Sequence, residues 1–199
     1  MNPHFLFNCL NSIDHYIIKN ETRKASEYLN SFSRLIRLIL QNSRSNYVNL
    51  NDELETLTLY MEMESLRFNH RFDFEVQTEP GLALSEIEIP PMLIQPFIEN
   101  AIWHGLMHKS GKGKVTLRVS KDNDLLKCTI QDDGIGRAKA TELKKRSSSG
   151  KKSMGMNITQ DRIQTINKIY ETNTSVNIID MMDENGMAAG TKVELRIPL

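Results

Sequence analysis

The chain has 199 residues, 39% of them hydrophobic, with Lys+Arg and Asp+Glu balanced at 25 each. That is enough apolar material for one medium domain or two small ones, and it excludes wholesale disorder. A formal net charge of zero gives no basic excess to draw in nucleic acid, so no nucleic-acid partner is expected.

No stretch approaches the ~18 apolar residues of a membrane span, and no signal peptide is recognisable. The two cysteines, Cys9 and Cys128, lack metal-ligand spacing and suit a reducing compartment better than a disulfide framework. The expected location is therefore cytoplasmic.

The first residues, "MNPHFLFNCLNSI", carry packed apolar side chains at once, as the interior of a longer chain would. Residues 1–19 and 23–41 both have helical periodicity. Leu6, Leu10, Ile13 and Ile17 form one seam, and Leu29, Phe32, Ile36 and Ile39 form another. The short polar "IKNETR" between them folds the two helices back as an antiparallel hairpin. Such a hairpin cannot enclose its own seam, so pairing of two copies into a four-helix bundle is expected. At 100° per residue His4 lies roughly 180–240° from Leu6, Leu10 and Ile13, on a face shared with Asn8, Asn11 and His15. A third helix, roughly 51–68, starts with Asn49 or Asn51 as cap and with Glu53 and Glu55 in its first turn.

From about residue 71 the pattern changes. "RFDFEVQ" alternates like a strand, and "PPMLIQPFIENAIWHGL" reads as a helix opened by proline. "KVTLRVS" and "LLKCTIQDDGIG" are strands joined by "KDND". The Ser- and Lys-rich "KKRSSSGKKS" reads as a mobile solvated segment or a basic lid, and a helix is expected from about 155 to 171. "SVNIIDM" and "TKVELRIPL" close the chain as a hairpin about "DENG". The expected fold class is α+β: an N-terminal helical hairpin, residues 1–45, a connecting helix, 46–70, and an α/β sandwich, 71–199, whose mixed sheet is covered by helices on one face.

Three pieces of the second half belong together. "FIENAIWHG" sets Asn100 on a helix, "DDGIG" ends a strand in glycines, and "SMGMN" opens a helix after the polar segment. Glycines let backbone approach a flat ligand, helix N-termini offer free N–H groups to phosphate, and an Asn carbonyl suits hydrated Mg²⁺.

This ordered set resembles the GHKL ATP-binding fold shared by gyrase, MutL, heat-shock chaperones and histidine kinases. "NPHFLFNCLNSI" resembles the phosphoacceptor box of LytS-like sensor histidine kinases, "PPMLIQPFIENAIWHG" their Asn box and "GTKVELRIPL" their last strand. The resemblance implies ATP and Mg²⁺ as cofactors and roles for particular residues. Asp132 would accept the adenine amino group, with Thr191 supporting that contact through water. Gly134 and Gly136 would leave room for base and sugar, Asn100 would hold Mg²⁺, His104 would face phosphates or sugar, and Gly155 would border the triphosphate. His4 would receive the γ-phosphate and pass it to a response-regulator receiver domain, and Asn8 matches a position that orients water for dephosphorylation. The resemblance further implies a homodimer. It places the chain on the cytoplasmic side of a parent anchored in the bacterial inner membrane, with sensor and membrane segments upstream.

Two departures from that pattern stand out. Trp103 occupies the place where many relatives carry lysine, in "ENAIKHG", and Phe5 follows His4 where many other histidine kinases place an acidic residue. His104 and His108 are four apart, but the glutamate of an "HExxH" zinc site is replaced by Gly105. Two rival readings are a GHKL ATPase and a degenerate nucleotide-binding scaffold. The ATPases place a water-activating glutamate one turn before the Mg²⁺ asparagine, and here that position is Pro96.

Overall fold

The computed structural model describes residues 3–147, 164–165, 167–169 and 173–199. Helices α1 (Pro3–Ile18) and α2 (Thr22–Asn42) form the expected antiparallel hairpin, and α3 (Leu50–Arg67) packs against both. Asn49 caps α3: its ψ of 151° is extended and its side chain accepts a 2.8 Å hydrogen bond from the Asp52 N–H. Asp52 and Glu53 fill the first turn, where carboxylates complement the helix dipole.

The apolar stripes of the hairpin divide differently from the expected seams. On α1 the inward residues are Phe5, Cys9 and Ile13, whereas Leu6, Leu10 and Ile17 are exposed by 37%, 52% and 58%. On α2 Ala25, Tyr28, Leu35, Ile39 and Asn42 are buried and Leu29 faces outward. The reason is α3. It lies along one side of the hairpin and takes one stripe of each helix, leaving the second stripe of α1 uncovered.

Helix α3 is buried nearly all round, through Leu50, Leu54, Leu57, Leu59, Tyr60, Met61 and Met63, which matches its weak segregation of polar and apolar residues. It joins the hairpin to the sheet in one continuous apolar cluster. Strands β1 (Val48–Asn49) and β3 (Glu88–Ile89) make a short antiparallel ladder beside the start of α3.

The main sheet holds β2 (Phe72–Thr78), β4 (Gly113–Asp122), β5 (Leu125–Asp132), β6 (Ser175–Met182) and β7 (Ala188–Pro198) in the order β2-β4-β5-β7-β6. Only β2 and β4 run parallel; the remaining pairs are antiparallel. Val115, Leu117, Val119, Leu126, Cys128, Ile130, Val193, Leu195 and Ile197 alternate onto one buried face. The opposite face carries polar pairs such as Lys192–Glu194 at 2.7 Å and Lys114–Glu75 at 2.7 Å. This is the mixed sheet with one covered face that the sequence predicts.

The helix expected from "PPMLIQPFIENAIWHGL" starts later and changes character. Met92 adopts φ 57°, and its N–H donates to Glu53 Oε2 at 3.0 Å. That grip on α3 keeps residues 91–94 in turns, so α4 spans Gln95–Asn100 and Pro96 opens it. Residues Ala101–Leu106 continue as a π-helix, in which Met107 N–H reaches back five residues to the Ile102 carbonyl at 3.0 Å.

A further correction concerns the segment after β5. Helix α5 (Gly136–Ser147) takes in the glycine read as a strand end, residues 137–143, which the sequence reading left unassigned, and the start of the polar segment. Its Ala-, Glu- and Lys-rich sequence supplies strong helix formers. Of the helix expected over 155–171, residues 164, 165 and 167–169 are helical; most of "KKRSSSGKKS" and the "SMGMN" stretch with Gly155 lie outside the described residues. At the "DENG" hairpin Gly186 takes φ 74° and Asp183 Oδ1 accepts from the N–H groups of Asn185 and Met187, a turn closed by its own aspartate.

Candidate nucleotide and phosphoacceptor site

Asp132 is the last residue of β5, the central strand, and is paired with Val115 on one side and Thr191 on the other. It is 4% exposed. Burial pushes its carboxyl up to about 7, with the backbone N–H groups of Gly134 and Thr191 drawing it back, Asp133 adding to the rise and Lys109 opposing it. Gly134 N–H donates to Asp132 Oδ1 at 2.9 Å.

Glycines make this burial possible. A Cβ on Gly105, in the π-helix, would sit 2.6 Å from Asp132 Oδ1. A Cβ on Gly190 would sit 2.0 Å from the Asp132 carbonyl oxygen, and one on Gly134 would meet the Gly105 backbone at 2.4 Å. Atoms do not approach that closely, so the π-helix, the strand end and β7 close around the carboxylate only because these three positions lack side chains. Gly136 has a different need: it opens α5 at φ 74°. The sequence reading named Gly134 and Gly136 but missed Gly105 and Gly190. The available signals were the "HG" that ends the Asn box and the "GT" that precedes β7.

Asn100 closes α4 and His104 sits on the π-helix, both half-buried; the residue after His104 is Gly105, which lies against the Asp132 carboxylate. The carbonyl of Gly105 accepts from Ile135 N–H at 3.1 Å, tying that segment to the "DDGIG" loop. Asp133 fixes the loop from its other side, pairing with Lys109 Nζ at 2.9 Å and accepting from Lys114 N–H at 2.8 Å.

His4 lies in the first turn of α1, on the helical hairpin rather than at the sheet. One turn on, Asn8 joins Asn11 and His15 along one wall of a groove of about 480 Å³, with Arg67, Phe68 and Trp103 on the other wall. The groove therefore runs between α1 and the end of α3, with Trp103 of the π-helix at its side. Among the described residues no group of three or more His, Cys, Asp or Glu could hold a metal ion. A single neutral oxygen at Asn100 is compatible with Mg²⁺, which keeps several waters and takes phosphate oxygens as ligands.

Residues 1–72 match the family model described as histidine kinase. The chain is 32% identical to sensor protein LytS of Staphylococcus haemolyticus over 136 residues, 68% of this chain and 23% of the relative. The chain belongs to the histidine kinase family. LytS of Bacillus subtilis is 33% identical over 136 residues, 68% of this chain and 22% of the relative. Sensor histidine kinase BtsS of Escherichia coli is 32% identical over 133 residues, 67% of this chain and 23% of that protein. This histidine kinase chain thus spans less than a quarter of the length of these curated relatives. Its fold matches the histidine kinase domain of the Erythrobacter litoralis blue-light activated kinase, with TM-score 0.54 and 17% identity over 96% of this chain and 93% of that one. The catalytic domain of histidine kinase ThkA superposes with TM-score 0.51 and 15% identity, covering 76% of this chain and 94% of that domain. Among the described residues no helix is long and apolar enough to cross a membrane.

Proposed function

We propose that the chain is the catalytic core of a two-component sensor kinase, which moves the γ-phosphoryl group of ATP to His4 and then to an aspartate of a response-regulator receiver domain. The observation that carries the nucleotide half of this reading is Asp132. A carboxyl is sunk at the end of the central strand with Oδ1 already accepting from Gly134 N–H, which leaves its remaining acceptor capacity for an amino group such as that of adenine. Thr191 supports Asp132 from β7. Asn100 would hold Mg²⁺ through its side-chain oxygen, and His104 and Gly155 would border the phosphates. Bound ATP supplies the transferable group: the bond from the γ-phosphorus to the bridging oxygen breaks and ADP leaves, a P–N bond to the imidazole of His4 forms, and the imidazole N–H proton passes to solvent.

The exposed stripe of α1, Leu6, Leu10 and Ile17, together with Leu29 of α2, supports a homodimer through the hairpin, because an uncovered apolar stripe gains by pairing with a second copy. We place this core on the cytoplasmic side of a membrane-anchored sensor, following its resemblance to sensor proteins. Asn8 retains the role of orienting water for dephosphorylation. Hydrolysis as the main activity has little support: Pro96 can take no proton, and Glu99 Oε1 accepts from Gln95 Nε2 at 2.7 Å.

The test is acid-labile, alkali-stable label from γ-labelled ATP. His4→Gln should abolish labelling and leave the affinity for a fluorescent ATP analogue intact, whereas Asn100→Ala should lower labelling with His4 still present. Undiminished labelling of His4→Gln would remove His4 from the reaction and make His15 the next residue to test. A parent that binds nucleotide without any phosphohistidine would favour the scaffold reading. Mixed dimers of the two variants would regain label only if phosphate crosses between protomers.

A further inference from the structure

Trp103 is the only tryptophan of the chain, and it stands where the resemblance calls for a phosphate-directed lysine. Its ring is turned toward α3. The Arg67 Cζ lies 4.4 Å from the Trp103 ring centroid and 4.1 Å from that of Phe68, and the two rings meet edge-to-face at 5.4 Å and 83°. Arg67 is held in this slot by Glu64, a carboxylate buried to 0% exposure, with Nη2 and Oε2 at 2.8 Å. Seven residues before Arg67 on the same helix stands Tyr60, buried to 2% exposure. Tyr60 in turn packs on Phe5 with ring centroids 5.2 Å apart, and Phe5 is the residue after His4.

An unbroken set of contacts therefore runs from the first turn of the acceptor helix, through α3, to the π-helix over Asp132. A guanidinium in the corner of two perpendicular aromatic rings is an orientation-dependent contact that a lysine at position 103 cannot replace, since it would set one cation beside another. We propose that Arg67 and Trp103 form a joint that holds the Asn100–His104 segment against the acceptor helix, acting as positioning residues for phosphoryl transfer and not as nucleotide contacts. The transfer role rests on the kinase reading; the joint itself does not.

The experiment uses the full chain. Trp103→Lys should slow labelling from γ-labelled ATP at least tenfold while the affinity for the ATP analogue stays within twofold, because misplacement affects transfer and not binding. Trp103→Phe keeps an aromatic face for Arg67 and should label within about threefold of the parent. Arg67→Lys retains the charge opposite Glu64 but loses the planar face, so the emission spectrum of Trp103 should shift. Parental labelling by Trp103→Lys would overturn the proposal. So would an equal loss of labelling and affinity, which would put position 103 in the nucleotide site. An unchanged Trp103 emission in Arg67→Lys would overturn the joint whatever the labelling shows. A parent that binds nucleotide and never labels would overturn the kinase reading and the transfer role, while a shifted emission would still establish the joint.

Discussion

Replacing Asp132 by asparagine should move stability and binding in opposite directions. The parental carboxyl has its folded value raised from 3.8 to about 7, chiefly by burial. The sign follows from proton uptake: between these values the folded chain binds the proton that the unfolded chain has released. Stability attached to this group is thus fully present below 3.8 and is lost as pH rises to about 7. At about 1.4 kcal/mol for each tenfold change in proton affinity, holding Asp132 ionised at pH 8 costs the fold about 4 kcal/mol. Asparagine fills nearly the same volume, keeps an oxygen for the Gly134 N–H and carries no charge. Asp132→Asn should therefore be the more stable protein at pH 8, by up to about 4 kcal/mol, and should lose this advantage toward pH 4. Its affinity for an ATP analogue should fall by the worth of a charge-assisted hydrogen bond, roughly 1.5–3 kcal/mol. Urea unfolding of both proteins at several pH values, with analogue titration at pH 8, would measure both effects. Glu64 is also pushed up to about 7 by burial, so the quantity to compare is the difference between the two proteins, from which Glu64 cancels. A variant less stable than the parent at pH 8 would refute the burial argument, and equal affinities would remove Asp132 from the nucleotide site.

Gly105→Ala would place a methyl group 2.6 Å from Asp132 Oδ1, in a site where the carboxylate is already held by Gly134; a destabilisation of about 1–3 kcal/mol and a loss of analogue affinity are expected by denaturant unfolding and titration, and a neutral outcome would mean that the π-helix moves freely over the strand. Light scattering at micromolar concentration should give about twice the 22.9 kDa chain mass, and Leu10→Asp, at a position that is 52% exposed, should reduce it toward the monomer without unfolding the hairpin. A dimer unaffected by Leu10→Asp would place the interface elsewhere.

Local pattern in the sequence determined much of the fold. Periods of three and four residues set α1 and α2, Asn49 with Asp52 and Glu53 set where α3 begins, and alternation set the strands from Phe72 to Pro198. The order of the Asn100 helix, the Asp132 loop and the last strand was legible for the same reason: each motif is a run of neighbours. Helix α5 was within reach, since "RAKATELKK" is rich in helix formers, but the sequence reading assigned no element to residues 137–143.

Tertiary structure decided what depends on distant partners. Period alone cannot say which stripe of α1 turns inward, because Phe5, Cys9 and Ile13 are as regularly spaced as Leu6, Leu10 and Ile17; α3 settles it by covering the first set. The start of α4 is fixed by a carboxylate 39 positions earlier, Glu53, which captures the Met92 N–H. Gly105 and Gly190 lie far apart in the chain and meet only at Asp132. Trp103 packs toward α3 because Arg67, paired with a buried Glu64, offers its ring a cation. Sequence periodicity reports the face a residue shares with its neighbours within a few turns. The neighbour across the interface is chosen by close packing and charge pairing once the chain has folded.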